Sequence, residues 1–180
     1  FLKKIHQKGW LIKKKSATTW CPRCETGLSQ HEEADGYQMD TDTSVYLKFK
    51  LKNKNNEYLL VWTTTPWTLT SNVLLAINPK FEYVKYYQGD DVLYLAKIAA
   101  DRLGLTEYEV IDASDLVNLE YESLYNIPPQ KNVRHFITTW DEVNPEEGTG
   151  VVHIAPGCGQ ADFELGKKLG VDTIAPLDPT

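Results

Sequence analysis

Two stretches of the sequence gather the residue types that ester chemistry needs. The first is Val61-Trp62-Thr63-Thr64-Thr65-Pro66-Trp67-Thr68-Leu69-Thr70-Ser71-Asn72. An apolar run ends in three threonines, and Pro66 opens a short helix, where a missing N–H costs little. Thr65 stands where a capping side chain belongs. Hydroxyls and unpaired helix N–H groups thus converge at one strand end, a corner that can bind a carboxyl ester, a ribose or a water. The plainer reading is that threonines favour strands and make good caps. The second stretch is Gly148-Thr149-Gly150-Val151-Val152-His153-Ile154-Ala155-Pro156-Gly157-Cys158-Gly159-Gln160-Ala161-Asp162-Phe163. Glycines bracket a buried strand carrying one histidine, and a Gly-rich turn then delivers Asp162 into the first turn of a helix. Taken singly, such a histidine reads as a satisfied core residue and such an aspartate as a cap or dipole partner. The conjunction of turn glycines, a polar strand residue and an anion makes the pair a candidate site.

A third group is Cys21-Pro22-Arg23-Cys24, a turn that brings two thiolates to one side as a zinc knuckle requires. It is half a site, because four-coordinate zinc needs two further ligands and no second Cys-x-x-Cys occurs in the sequence. Cys158, His31 and His153 are the residues that could contribute. A redox role is the weaker alternative, since no thioredoxin-like strand and helix surround the pair.

The elements that must position these groups are mostly strands. Phe1 to Lys8 reads as the last turns of a helix, with Leu2 and Ile5 on one face and Gly9 as its stop. A strand is expected through Trp10, Ile12 and Thr18-Thr19-Trp20 into the knuckle. Val45, Leu47, Phe49 and Leu51 alternate strictly, and Tyr58 to Thr63 follows a turn as a buried strand, which makes a hairpin. Further strands are expected over Val73 to Ile77, Glu82 to Tyr87, Val92 to Leu95, Tyr108 to Ile111, Arg134 to Thr139 and Val151 to Ala155. Helices are expected over Ala96 to Leu103, closed by Gly104, and Gln160 to Leu169, closed by Gly170. Many strands, few helices and no βαβ rhythm predict an α+β fold around a closed or nearly closed, barrel-like sheet. Residues 1–40, with the knuckle, form a stem, and residues 41–180 the domain that holds both candidate stretches. There is no internal repeat and no low-complexity linker.

At 180 residues and 42% apolar content the chain is long enough for one sizeable core. No apolar run approaches the ~20 residues that span a bilayer, and the Lys-rich start lacks the apolar stretch of a secretory signal, so a cytoplasmic, soluble protein is expected. Phe1 is no initiator methionine and the chain stops at Asp178-Pro179-Thr180, so both ends read as cut from something longer. A net charge of -6 argues against holding nucleic acid by electrostatics alone, since phosphate contacts are made mainly by Lys and Arg. Lys3, Lys4, Lys8, Lys13, Lys14 and Lys15 cluster at the start and read as a solvated helix face and strand edge.

The run from Trp62 to Leu69 with Asn72, then Gly148 to Gly157 with Asp162, resembles the editing insertion of isoleucyl-tRNA synthetases, over nearly all of the chain. The related valyl enzymes typically have Thr-Thr-Arg-Pro-Glu-Thr and the leucyl enzymes Thr-Thr-Arg-Pro-Asp-Thr, where this chain has Thr64-Thr65-Pro66-Trp67-Thr68. The stretch Trp20 to Ser29 also looks like the entry to that insertion, where the family can place half a zinc site whose partner follows the editing module. The resemblance implies a hydrolase that removes valine misattached to isoleucine tRNA. It implies that Asp162 binds the α-ammonium of the amino acid. Thr64, Thr65 and Asn72 would hold the terminal adenosine and the hydrolytic water. Thr63, Trp67, Thr68 and His153 would bind the substrate, the last three lining the side-chain pocket. Cys158-Gly159-Gln160-Ala161 departs from the more acidic, often His-containing turn of many bacterial members.

One methylene in an apolar pocket discriminates by only ~1–3 kcal/mol, an argument for which the isoleucine enzyme is itself the standard example, so a second pocket that admits valine and excludes isoleucine multiplies selectivity. Hydrolysis of an activated ester needs no strong nucleophile, and orientation of water and substrate, aided by a ribose hydroxyl, would carry the acceleration. Editing would need no cofactor, with zinc belonging to the longer protein. The partners implied are the 3′ aminoacyl end of isoleucine tRNA, valyl-tRNA or valyl-adenylate, and the remainder of the synthetase, in a monomer. ATP binding would belong to that remainder. The alternatives are a non-catalytic zinc-ribbon RNA-binding module, which the acidic charge and single knuckle disfavour, and an editing domain of valyl or leucyl type, which Pro66-Trp67 disfavours.

Overall fold

The computed structural model describes residues 1–14, 16–39, 41, 43–144 and 146–175. Lys15 and the Asp178-Pro179-Thr180 end therefore lie outside the described residues. Contacts divide the chain into two units, residues 1–38 and 39–180.

In the first unit, α1 (Leu2–Gln7) is followed by the two-residue strands β1 (Trp20–Cys21) and β2 (Thr26–Gly27), paired antiparallel, and by α2 (Gln30–Asp35). None of these elements buries a large apolar side chain. The strand expected through Trp10 and Ile12 does not form. Both residues are exposed and, among the described residues, no second strand lies alongside to pair them, and an unpaired strand in water has nothing to stabilise it. The sequence reading missed α2, although its Ser29…Glu32 capping box was there to be seen: the Ser29 amide donates to the Glu32 carboxylate at 2.9 Å.

The second unit is built on two sheets. β3 (Val45–Lys50) and β4 (Glu57–Thr63) form the expected hairpin, with Leu47 paired to Val61 and Phe49 to Leu59. They continue into a five-stranded sheet of order β3-β4-β7-β6-β8, where β6 is Tyr83–Gln88, β7 Asp91–Ala96 and β8 Tyr108–Ile111. A three-stranded sheet has β5 (Leu74–Ile77) at its centre, with β10 (Val151–Ile154) antiparallel on one side and β9 (Phe136–Thr139) parallel on the other. Three further helical segments matter: the 3-10 helix Pro66–Ser71, α3 (Lys97–Arg102) and α4 (Gln160–Leu169). The fold is α+β as the alternation pattern predicts, but among the described residues no sheet closes on itself, so barrel-like describes it loosely. Two sheets satisfy the backbone instead. β4 also pairs parallel with β7, and β5 with β9, so long connections rather than hairpins bring these strands together.

The main core lies between the sheets, with Phe49, Leu59, Val61, Leu75, Ile77, Tyr83, Leu95 and Tyr121 fully buried. The Tyr121 ring meets Phe49 edge to face at 5.4 Å. A second cluster, including Leu74, Ile154 and Leu165, packs α4 on the smaller sheet. The ends of β4 and β10, and the start of α4, are thereby held in one region.

Candidate functional site

That region is an open cavity of about 410 Å³. Its lining includes Thr63, Thr64, Thr65 and Thr68 from the first stretch and Gly148 to His153, Cys158, Gly159 and Asp162 from the second. The two stretches, far apart in sequence, form one pocket because β10 pairs with β5 while the 3-10 helix links β4 to β5.

The threonines form a short hydroxyl network. Thr63 Oγ1 accepts from the Thr65 amide at 3.1 Å and lies 3.2 Å from Thr65 Oγ1. Thr68 Oγ1 donates to the Thr65 carbonyl at 2.7 Å. Thr65 is the N-cap of the 3-10 helix, but its side chain does not cap; it turns to its threonine neighbours instead. Thr64 is exposed, and its hydroxyl has no hydrogen-bond partner among the described residues, so it stays available to a ligand or a water.

His153, only 7% exposed, is joined to this network through Nε2, 3.0 Å from Thr68 Oγ1. Since Thr68 gives its proton to the Thr65 carbonyl, it accepts from His153, and Nε2 carries the ring proton. Nδ1 is left buried with no hydrogen-bond partner among the described residues. Burial pushes the imidazole down to about 4, so the ring is neutral at pH 7.

Asp162 stands in the first turn of α4, with Gly159 as N-cap. Its Oδ2 accepts from the Ala155 amide at 2.8 Å, which ties it to the end of β10. Burial raises its carboxyl pKa, and the Ala155 hydrogen bond works in the opposite direction. Burial likewise raises the neighbouring Cys158 thiol. Among the described residues the lining holds the carboxylates of Glu147 and Asp162 and no Lys or Arg.

Two residues expected here are not part of the lining. Asn72 is buried, with Nδ2 donating to the Leu74 carbonyl at 2.9 Å and Oδ1 accepting from Tyr121 OH at 2.8 Å. These two contacts tie its amide into the fold, outside the lining, whereas the sequence reading placed it on adenosine or water. Trp67 lies 64% exposed, outside the lining, because the 3-10 turn carries Thr68 inward and its neighbour outward. Trp62, Asn144 and Glu147 are lining residues that sequence reasoning did not single out. Glu147 adjoins the Gly148-Thr149-Gly150 motif, and that adjacency was its only signal.

In the first unit, Cys21 Sγ accepts the Cys24 amide at 3.4 Å. The Cys24 and Arg23 hydrogen bonds hold the Cys21 thiol below its ordinary value, while bonding to Cys21 raises that of Cys24. This geometry fits one half of a thiolate site. Among the described residues, no group of three or more His, Cys, Asp or Glu side chains is placed to hold a metal ion.

No family model matches the chain. The isoleucine–tRNA ligase of Pyrococcus horikoshii is 43% identical to it over 196 residues, covering 98% of this chain and 18% of that protein. That of Clostridium novyi is 41% identical, covering 98% and 17%. The chain thus spans less than a fifth of the length of these relatives. Among solved structures, GlLeuRS-CP1 matches with a TM-score of 0.59 at 20% identity, over 77% of this chain and 68% of that one. The P. knowlesi cytosolic leucyl-tRNA synthetase editing domain matches with a TM-score of 0.54 at 14% identity, over 71% and 62%. These likenesses show the fold.

Proposed function

The chain belongs to the isoleucine–tRNA ligase family through the segment it shares with those enzymes, and from this premise we propose that it is an editing module, a hydrolase of misacylated tRNA. The observation that carries the reading is the single pocket in which the Thr63 to Thr68 hydroxyls, neutral His153 and the Asp162 carboxylate meet. The substrate proposed is valine esterified to the 3′ end of isoleucine tRNA, with valyl-adenylate as a further substrate.

The mechanism follows from what each group can do. A lining with two carboxylates and, among the described residues, no cationic side chain suits an ammonium group, and Asp162, steadied by the Ala155 N–H, is the acceptor proposed for the α-ammonium. With the amino group fixed, the ester carbonyl lies among the threonines. The Thr64 hydroxyl, free of internal bonds, orients the attacking water or a ribose hydroxyl, while Thr63 and Thr65 hold the corner in shape. His153 is a poor general base near neutral pH, because its proton affinity is low and its Nε2–H is committed to Thr68. Its bulk is the proposed sieve, occupying the space that an extra methylene would need. Catalysis then rests on positioning water and ester together.

A role for zinc is proposed only for the longer protein, with Cys21 and Cys24 as two of four ligands; zinc there would hold the stem together and takes no part in hydrolysis. The partners proposed are isoleucine tRNA and the rest of the synthetase, in a cytoplasmic monomer. The test is deacylation of valyl-tRNA(Ile), isoleucyl-tRNA(Ile) and mischarged valine and leucine tRNAs. Selective loss of valine from isoleucine tRNA supports the reading. Preference for threonyl-tRNA(Val) or for a mischarged leucine tRNA would reassign the specificity, and no hydrolysis of any ester would remove it.

A further inference from the structure

Residues 146–150 form one wall of the pocket, contributing Glu147, Gly148, Thr149 and Gly150 to its lining. Locally, the Glu146 amide donates to Asn144 Oδ1 at 3.1 Å and Thr149 Oγ1 donates to the Val151 carbonyl at 3.3 Å, while the glycines between them add little. Gly148 and Gly150 have φ of +64 and +70, the left-handed region, and glycine there lends no side chain to packing. The second half of the loop is held by the fold: the Ala96 amide donates to the Thr149 carbonyl at 2.8 Å, and buried Tyr83 donates to the Gly150 carbonyl at 2.7 Å. The first half is held differently. Arg102, in the last turn of α3, donates from Nη1 to the Glu146 carbonyl and from Nη2 to the Gly148 carbonyl. The two carbonyls belong to the residues on either side of Glu147, so a single guanidinium fork fixes the peptide that enters Glu147 and the one that leaves Gly148, bracketing a pocket carboxylate. It also holds Gly148 against the Trp62 indole, where a Cβ would come within 2.7 Å of the ring. Arg102 is exposed and is not itself among the lining residues.

We propose that Arg102 is a positioning residue for the pocket: its guanidinium grips the carbonyls of Glu146 and Gly148 and thereby sets the wall that presents Glu147 to an aminoacyl ester. This rests on the hydrolase reading for its substrate, though not for its geometry. A planar five-donor fork suits two carbonyls at a fixed spacing, whereas a lysine ammonium offers one point of attachment, so the two side chains are not interchangeable here.

The experiment compares the protein with Arg102→Ala and Arg102→Lys by three measurements: amide order parameters, binding of a non-hydrolysable valyl-adenosine amide, and deacylation of valyl-tRNA(Ile), with thermal melting to confirm folding. In Arg102→Ala the order parameters of residues 146–148 are expected to fall from about 0.85 to below about 0.6, while Val151 and Val152 stay rigid. Binding of the analogue should weaken and kcat/KM should drop about tenfold, mostly in kcat, because small misplacements at a reacting centre are costly. Arg102→Lys should recover only part of each loss. Unchanged order parameters in Arg102→Ala, or a loosened loop with analogue binding and kcat/KM within twofold of the parent, would overturn the proposal. So would full rescue by lysine, since a point charge would then suffice. A parent protein that binds the analogue but hydrolyses no ester would defeat the hydrolase reading alone, and Arg102 would then be judged on order parameters and binding.

Discussion

Burial pushes the His153 imidazole down to about 4 from an ordinary 6.5, so on acidification the unfolded chain takes up the proton before the folded one does. The stability contributed by keeping this ring neutral is fully present above about 6.5 and is lost as pH falls from there towards 4, a difference on the order of 3 kcal/mol. His153→Gln is expected to lose less stability than the parent between pH 7 and pH 4.5, as read by urea midpoints. Equal losses in both would show that other groups carry the acid sensitivity. The same residue should act as the sieve. His153→Ala is expected to keep valine hydrolysis within an order of magnitude and to acquire hydrolysis of isoleucyl-tRNA(Ile), because it removes a steric penalty rather than an attraction. Asp162 acts by charge. Loss of its contact to an ammonium is worth ~1.5–3 kcal/mol, so Asp162→Ala should reduce valyl-tRNA(Ile) hydrolysis by roughly tenfold or more and remain folded. Deacylation of both charged tRNAs by both variants checks the division of labour.

At the scale of elements, the site depends on how strand ends are joined. Asn72 closes the 3-10 helix Pro66–Ser71 onto β5, bonding Leu74 and Tyr121, and Gln130 Nε2 donates to the Thr70 carbonyl at 2.7 Å to brace the same turn. Asn72→Ala leaves a buried tyrosine hydroxyl and a carbonyl without partners. It should therefore cost ~1–3 kcal/mol in denaturant unfolding, a larger effect on stability than Asp162→Ala produces. Gly148 is constrained twice, by its left-handed backbone and by the Trp62 ring within 2.7 Å of an added Cβ. Gly148→Ala is expected to displace the loop and lower deacylation at least several-fold. Activity equal to the parent would mean that the wall tolerates the shift.

Across the whole molecule, charge and core are unevenly shared. Among the described residues the buried core lies in residues 39–180, and the helices of residues 1–38 hold no buried residue. A fragment of residues 39–180 should therefore melt cooperatively by itself, within a few degrees of the full chain. Lys3, Lys4, Lys8, Lys13 and Lys14 are exposed on the smaller unit, against a net charge of -6 overall. Binding of aminoacyl-tRNA should accordingly be weak and fall with added salt. Tight binding at physiological salt would contradict this. Cys21 and Cys24 supply two thiolates, so zinc uptake by the chain should be weak; a stoichiometric, tetrahedral zinc would show that further ligands are recruited.

Much of this was legible from residues alone. Strict alternation marked β3, an apolar run with turn glycines marked β10, and Gly170 closed α4 at the predicted residue, because periodicity and turn chemistry are local properties. The motifs around Thr64, His153 and Asp162 were equally local. What tertiary structure decided was which polar groups remain free. Asn72 and Trp67 sit within the same motif as Thr64, yet one is consumed by Tyr121 and Leu74 and the other is turned to solvent. Sequence gives the donors and acceptors, but deciding partners such as Tyr121 for Asn72 and His153 for Thr68 come from segments dozens of residues away. The same holds for the two sheets in place of a barrel, since strand pairing is a long-range choice, and for Arg102, whose carbonyl partners carry no side-chain signal at all.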